Sequence, residues 1–227
     1  MTYISDKLQI TGANIENFAI KYQRAPKEVK LLAVSKKHGA DKIREAYDAG
    51  QTAFGENYVQ ELLEKQQELS DLNIEWHFIG PLQSNKTKKI AEIASWVHTI
   101  DRFKIAKRLS EQRPAQLPPL AVCIQVNISG EESKSGVSIE ELPSLAKEIN
   151  TLPRLQLKGL MVIPAPEKNF EKQRAVFARL TEIKKQLNQQ GLEIDTLSMG
   201  MSDDMEAAIA EGATIVRIGT AIFGKRD

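Results

Sequence analysis

Two textures alternate along this chain, and that alternation limits its fold more than any other feature. Short runs rich in β-branched, aliphatic or aromatic residues are followed by longer charged segments whose apolar residues fall at helical spacing. Eight such runs occur, at residues 31–36 (LLAVSK), 53–57 (AFGEN), 76–80 (WHFIG), 97–101 (VHTID), 121–128 (AVCIQVNI), 157–163 (LKGLMVI), 196–201 (TLSMGM) and 215–224 (IVRIGTAIFG). Between them lie helix candidates such as ADKIREAYDAG, SNKTKKIAEIA, DRFKIAKRLSEQR, SIEELPSLAKEIN and NFEKQRAVFARLTEIKKQLNQQ. Each interval is long enough for a crossover helix, which predicts parallel strands joined by right-handed connections. Eight such units in 227 residues predict an α/β fold, a single (β/α)8 TIM barrel. An open doubly wound sheet is the rival, but it usually carries a glycine fingerprint after its first strand, and VSKKHGAD has none.

Before the first run, Ile4, Leu8, Ile15, Phe18, Ala19 and Tyr22 sit near helical spacing, with Gly12 weakening the middle and Pro26 ending the pattern. The sequence stops three residues after Gly224, so no helix is expected after strand eight, and no C-terminal β domain. The N-terminal helix is expected to cover the seam where an eighth helix would lie. The Pro-containing stretch QRPAQLPPL is short enough to be a loop, and one domain over residues 1–227 accounts for the chain.

Charge excludes several functions. Thirty-one basic and 30 acidic residues leave a net charge of +1, so no broad field draws nucleic acid or an anionic membrane. The helix with Lys86, Lys88 and Lys89 is basic, but a charged helical face is usually solvated. Cys123, the one cysteine, lies inside AVCIQV and reads as a buried thiol in a reducing compartment. His38, His77 and His98 lack metal-ligand spacing, so no metal is expected. Neither a signal-peptide core nor a membrane-spanning run is present, which predicts a cytoplasmic protein.

In such a barrel the active site lies at the C-terminal ends of the strands. Lys36 ends the first run, on the same alternating face as Leu32 and Val34. An apolar floor there disfavours the charged amine and leaves a nucleophile for a Schiff base; taken alone, Lys36 reads rather as the start of a solvated loop. The far end of the chain adds weight. In SMGMSDDMEAAIAEG, Asp203 and Glu206 fit a capping box, MEAAIA is a short helix that Gly212 can end, and its N-terminus with the Ser202 hydroxyl offers donors to an anion. In VRIGTAIFG, Gly219 permits close backbone approach and Thr220 adds an amide and a hydroxyl. Together they form a phosphate cup after strands seven and eight. Arg217 is a guanidinium in a buried run and needs either a structural carboxylate or a ligand acceptor. Asn57 either contacts a ligand or caps the helix beginning at Tyr58. On strand six, Met161 and Ile163 share one face and Val162 the other; Met161 is taken to line the ring. An amine, a phosphate cup and a buried arginine describe a site for a phosphorylated aldehyde, and pyridoxal phosphate fits.

The motifs AVSK, FGENYVQE, WHFIGPLQSNK, SKSG, SMGMSDD and VRIGTAIFG, in this order, make the sequence from about Leu31 to Gly224 resemble the pyridoxal phosphate homeostasis protein family, which is related to the N-terminal barrel of alanine racemase. The resemblance implies Lys36 as the Schiff-base residue, Ser202, Gly219 and Thr220 at the phosphate, and Arg217 at the pyridine nitrogen. A permanently charged arginine leaves that nitrogen unprotonated and weakens the ring as an electron sink. Racemisation also needs an acid/base on each face of the α-carbon, and related racemases take the second from an additional domain. The expected function is therefore a reversible carrier of pyridoxal phosphate in vitamin B6 and amino-acid homeostasis. It is expected to be a monomer with little catalysis of its own and with apo-enzymes as recipients. The competing readings are a racemase or lyase using the cofactor and an aldolase using Lys36 without it. Lys134, after strand five, reads as a solvated loop lysine, with a second amine acceptor or an electrostatic guide as alternatives.

Overall fold

The structure, a computed structural model, describes residues 2–130 and 135–224; Lys134 lies outside the described residues. An N-terminal helix α1 (Tyr3–Lys21) and a 3-10 turn (Pro26–Glu28) precede the strands β1 (Lys30–Val34), β2 (Ala53–Glu56), β3 (Glu75–Phe78), β4 (Trp96–Ile100), β5 (Leu120–Gln125), β6 (Leu155–Met161), β7 (Thr196–Ser198) and β8 (Ile215–Ile218). Helices α2 (Ala40–Asp48), α3 (Val59–Glu68), α4 (Thr87–Ile93), α5 (Phe103–Gln112), α6 (Leu142–Asn150), α7 (Phe170–Gln189) and α8 (Met205–Ala210) connect consecutive strands, and α9 (Thr220–Phe223) follows β8. All pairings are parallel, in sequence order, and β1 closes the barrel against β8 from Lys30 opposite Ile215 to Ala33 opposite Ile218. This is the (β/α)8 architecture that the alternation predicts.

The strands read as continuous apolar runs because both faces are buried, one by helices and one by the barrel interior. All six residues of β5 are buried, for example. One large apolar cluster, including Phe54, Phe78, Leu109 and Phe177, fills the layer between strands and helices. A small separate cluster inside the barrel holds Leu32, Val34, Ala53, Ile79 and Ile215, with Trp96 packed against it. Buried polar side chains, His77, His98, Ser198 and Arg217, stand beside it.

Helix α1 takes the position expected of it. It buries Ile4, Leu8, Ile15 and Ala19 and is tied to both flanking helices. The Ile4 amide donates to Glu45 of α2, while Lys21 and the Tyr22 hydroxyl meet Glu206 of α8 at 2.6 and 3.0 Å. Just beyond it, Arg24 donates to the carbonyls of Ile209 and Ala213.

Three expectations are corrected. The eighth run is not one strand: Gly219 breaks it, and the residues Thr220–Phe223 close a single helical turn that buries Ile222 and Phe223. Lys36 is not the last residue of β1, which ends at Val34. The Ser35 amide still reaches Gly55 O, but the His38 amide then turns back to Ser35 O, with Lys37 at φ 62°. The capping box is absent as well. Asp204, not Asp203, is the N-cap of α8, its Oδ1 accepts from the Met201 amide at 2.5 Å, and Glu206 is engaged by α1.

Candidate functional site

At the C-terminal mouth of the barrel lies a cavity of about 560 Å³. Lys36, Asn57, Ser202, Arg217, Gly219 and Thr220 all line it, so residues 184 positions apart in sequence, from Lys36 to Thr220, meet in one place. Met161 does not line it. It is fully buried as the last residue of β6, while Ile163, two residues on and 46 % exposed, forms that part of the wall. Of the two residues that the alternation puts on one face, Ile163 is the one that reaches the cavity.

Each side of Lys36 is clamped. Its predecessor Ser35 donates its hydroxyl to Glu56 Oε1 at 2.7 Å, and Lys65 Nζ bonds both Ser35 O (3.0 Å) and Glu56 Oε1 (2.7 Å). Its successor Lys37 donates its amide to Glu61, which also accepts from Lys65 at 3.1 Å. Glu56 and Lys65 are buried, and burial pushes the Glu56 carboxyl above its ordinary value despite the lysine beside it. A charge cluster beneath the turn thus fixes where the half-buried Lys36 stands. Sequence reading passed over this cluster, although Glu61 and Lys65 carry the i,i+4 spacing that could have signalled it.

Asn57 is not the cap of α3. Tyr58 holds that position without a side-chain cap, and Asn57 Oδ1 is buried without a hydrogen-bond partner among the described residues. An orphaned buried acceptor at a cavity wall marks a place where a ligand donor or a water would fit. Across the mouth, Gly219 lies against β1: a Cβ there would come 3.0 Å from Val34 O. The Ser202 and Thr220 side chains are exposed to the cavity and have no partner among the described residues.

Arg217 rises from the interior and is 4 % exposed. Its Nη1 donates to Ser198 Oγ and its Nη2 to Val162 O, both at 2.8 Å. Burial lowers its pKa to about 10, so it stays charged at neutral pH. Behind Ser198 lie His98 (2.8 Å), His77 (2.9 Å from His98) and Glu75 (2.9 Å from His77). Burial holds both imidazoles below their ordinary pKa. His77 and His98 stand on different strands, and only the strand register brings them together. A second cavity, of about 440 Å³, adjoins between the β5 and β6 loops and shares Ile163. No group of three or more metal-ligating side chains occurs among the described residues.

Comparison with known proteins settles the family. The model of the alanine racemase N-terminal domain matches residues 11–227. The pyridoxal phosphate homeostasis protein of Pseudomonas aeruginosa is 59 % identical over 227 residues, spanning 100 % of this chain and 97 % of the relative. The chain belongs to the pyridoxal phosphate homeostasis protein family. The Escherichia coli K12 homeostasis protein is 55 % identical, covering 100 % of this chain and 98 % of its own. Among solved structures, PipY of Synechococcus elongatus with PLP bound superposes with a TM-score of 0.84 at 38 % identity, covering 97 % of this chain and 100 % of that one. An alanine racemase of Clostridium difficile shares the fold at a TM-score of 0.76 and 17 % identity, covering 97 % of this chain and 57 % of the racemase. Members of the homeostasis family and the racemase barrel therefore share one architecture. No helix among the described residues is long and apolar enough to cross a membrane.

Proposed function

We propose that this protein holds pyridoxal phosphate as a Schiff base on Lys36 and serves vitamin B6 and amino-acid homeostasis with little catalysis of its own. One observation carries the reading. Lys36, Arg217 and the Ser202, Gly219 and Thr220 donors line a single cavity in a chain 38 % identical to a protein solved with PLP bound. When bound, the cofactor supplies an electrophilic aldehyde carbon and an aromatic ring able to delocalise electrons.

The residues present suit that group. The backbone on either side of Lys36 is held at the mouth by the Glu56, Glu61 and Lys65 cluster, and condensation of the Lys36 amine with an aldehyde releases water and is reversible. The Ser202 and Thr220 hydroxyls, without a partner among the described residues, and the backbone amides at Gly219 and Thr220 are the donors a phosphate needs. Ile163 and Met201, partly exposed at the cavity wall, offer apolar surface to a ring. Arg217 is fixed by two hydrogen bonds to the protein and keeps further N–H groups for a ring nitrogen. Since a guanidinium does not give up its proton, that nitrogen stays unprotonated and the ring remains a weak electron sink. This favours holding over turnover, as do the relatives' names as homeostasis proteins. Reversibility at Lys36 permits release to apo-enzymes, and the buried Cys123 suits the reducing cytoplasm.

The test is borohydride reduction of the cofactor-loaded protein, followed by peptide mapping. A pyridoxyl group on Lys36, and loss of the visible band in Lys36→Ala with an unchanged circular dichroism spectrum, are expected. Labelling at Lys134 or another lysine instead would overturn the assignment. Steady turnover of an amino acid, lost in the same variant, would overturn the carrier reading.

A further inference from the structure

The Arg217 guanidinium is buried, yet no carboxylate forms an ion pair with it among the described residues; Asp204 acts on it only through space. A buried charge needs compensation, and the hydrogen-bond chain behind Arg217 leads to one. We propose that Glu75, acting through His77, His98 and Ser198, is the remote counter-charge that holds Arg217 in place beneath the cofactor ring. This rests on the reading of Arg217 as the partner of the pyridine nitrogen.

The polarity of the chain follows from its two ends. A guanidinium only donates, so Ser198 Oγ accepts from Arg217 Nη1 at 2.8 Å. At the opposite end, Glu75 Oε2 receives Lys30 Nζ at 2.6 Å, and Oε1 faces His77 Nε2 at 2.9 Å. The His77 bond and Lys30 hold this carboxyl at a pKa of about 2, so it is ionised and accepts. His77 must then carry its proton on Nε2, and its Nδ1 accepts from His98 Nε2 at 2.9 Å. His98 Nδ1 in turn accepts the Ser198 hydroxyl proton at 2.8 Å. The reverse arrangement would turn the His77 Nε2 lone pair onto a carboxylate. Both imidazoles are therefore neutral Nε2–H tautomers, an assignment by polarity rather than by observed hydrogens.

All four links from Arg217 to Glu75 donate in the same direction, so each polarises the next. The groups facing the histidines are Glu75 and Lys30 at the floor, Arg217 at the mouth, and the Trp96 ring, which stacks on His77 at 5.4 Å with 4° between planes. A carboxylate placed directly on Arg217 would occupy the N–H groups that meet the ring. One placed at the barrel floor, shared there with Lys30, acts on Arg217 through the polarised chain and leaves those groups available. Glu75, His77, His98 and Ser198 are thus positioning residues.

Two measurements on the full chain test this. Long-range nitrogen–proton NMR of the cofactor-free protein, which has only three histidines, should show His77 and His98 as neutral Nε2–H tautomers at neutral pH. An imidazolium or an Nδ1–H tautomer at either would overturn the relay. In the loaded protein, Ser198→Ala and Glu75→Gln should each speed pyridoxal phosphate release about three- to tenfold and shift the visible band. The double variant should be no worse than the more severe single one, because both cut one path, and Ser198→Thr should restore the band. Additive effects, or no rescue by threonine, would overturn the relay alone, provided Arg217→Gln shifts the band. An unshifted band in Arg217→Gln would instead overturn the placement of Arg217 at the ring.

Discussion

At the scale of single residues, Lys36 owes its position to Lys65, which the cavity does not contain. Lys65 Nζ bridges Ser35 O, Glu56 Oε1 and Glu61 Oε2, and so joins the carbonyl on one side of Lys36 to the acid that binds the Lys37 amide on the other. Glu56 is fully buried, and its Oε2 already lacks a partner among the described residues. Lys65→Met fills a similar volume but leaves that carboxylate uncompensated, a change that typically costs about 3–5 kcal/mol. Urea midpoints should fall accordingly, and the cofactor band should weaken as the turn loosens. The pH dependence has a definite sign. Burial raises the Glu56 pKa in the folded protein, and loss of the ammonium raises it further, so the folded variant binds the proton more tightly than the unfolded chain does. That contribution favours folding at acid pH and is lost as pH rises, so the deficit of Lys65→Met should shrink on acidification. A deficit independent of pH would mean that packing, not charge, is what Lys65 supplies.

At the scale of elements, the site depends on how closely strand ends approach one another. A Cβ on Gly80, just past β3, would fall 1.9 Å from Asn57 O, just past β2. Thr99 of β4 adds a hydrogen bond to Gly80 O at 2.6 Å. Gly80→Ala must push the two strand ends apart, at about 1–3 kcal/mol by the usual cost of overpacking, and Asn57 should move with them. Thermal melting should register the first effect and faster cofactor release the second; normal release from a destabilised variant would show that Asn57 does not touch the ligand. Much of this arrangement was legible in the sequence, since parallel strands buried on both faces appear as apolar runs and their C-terminal ends are the places to search. Of the seven residues expected there at the cofactor, all but Met161 line the cavity. What failed has physical causes. Strand ends depend on turn conformations such as Lys37 at φ 62°, which composition does not encode. The run IVRIGTAIFG is rich in β-branched residues, yet Gly219 interrupts it and Ile222 and Phe223 are buried in α9 instead of extending β8. Met161 and Ile163 share a face, and only the barrel's depth separates them. The Glu75–His77–His98–Ser198 path was illegible because its links come from inter-strand register, which a single sequence does not display.

At the scale of the whole molecule, the barrel interior divides its load between an apolar cluster and a polar column. Leu32, Val34, Ala53, Ile79 and Ile215 give dry packing, while the column from Lys30 and Glu75 to Arg217 runs from the floor of the barrel to the cavity. Stability and site geometry are therefore coupled through Glu75, and acid should reveal the coupling. The hydrogen bond from His77, with Lys30 beside it, lowers the Glu75 pKa from 4.5 to about 2. A carboxyl depressed on folding binds its proton less tightly in the folded state, so its contribution is fully present above 4.5 and is lost as pH falls towards 2. The full shift would correspond to roughly 3 kcal/mol, but a third of the side chain faces solvent, and screening brings the expected value to about 1–2 kcal/mol. Urea midpoints of the wild type and Glu75→Gln, compared from about pH 6 to about pH 3, should converge as the wild type loses this contribution. The cofactor-free protein is the right material, because cofactor release at acid pH would otherwise add its own dependence. A constant gap between the two proteins across that range would mean that Glu75 acts through shape alone, and would remove the electrostatic link between the barrel floor and Arg217.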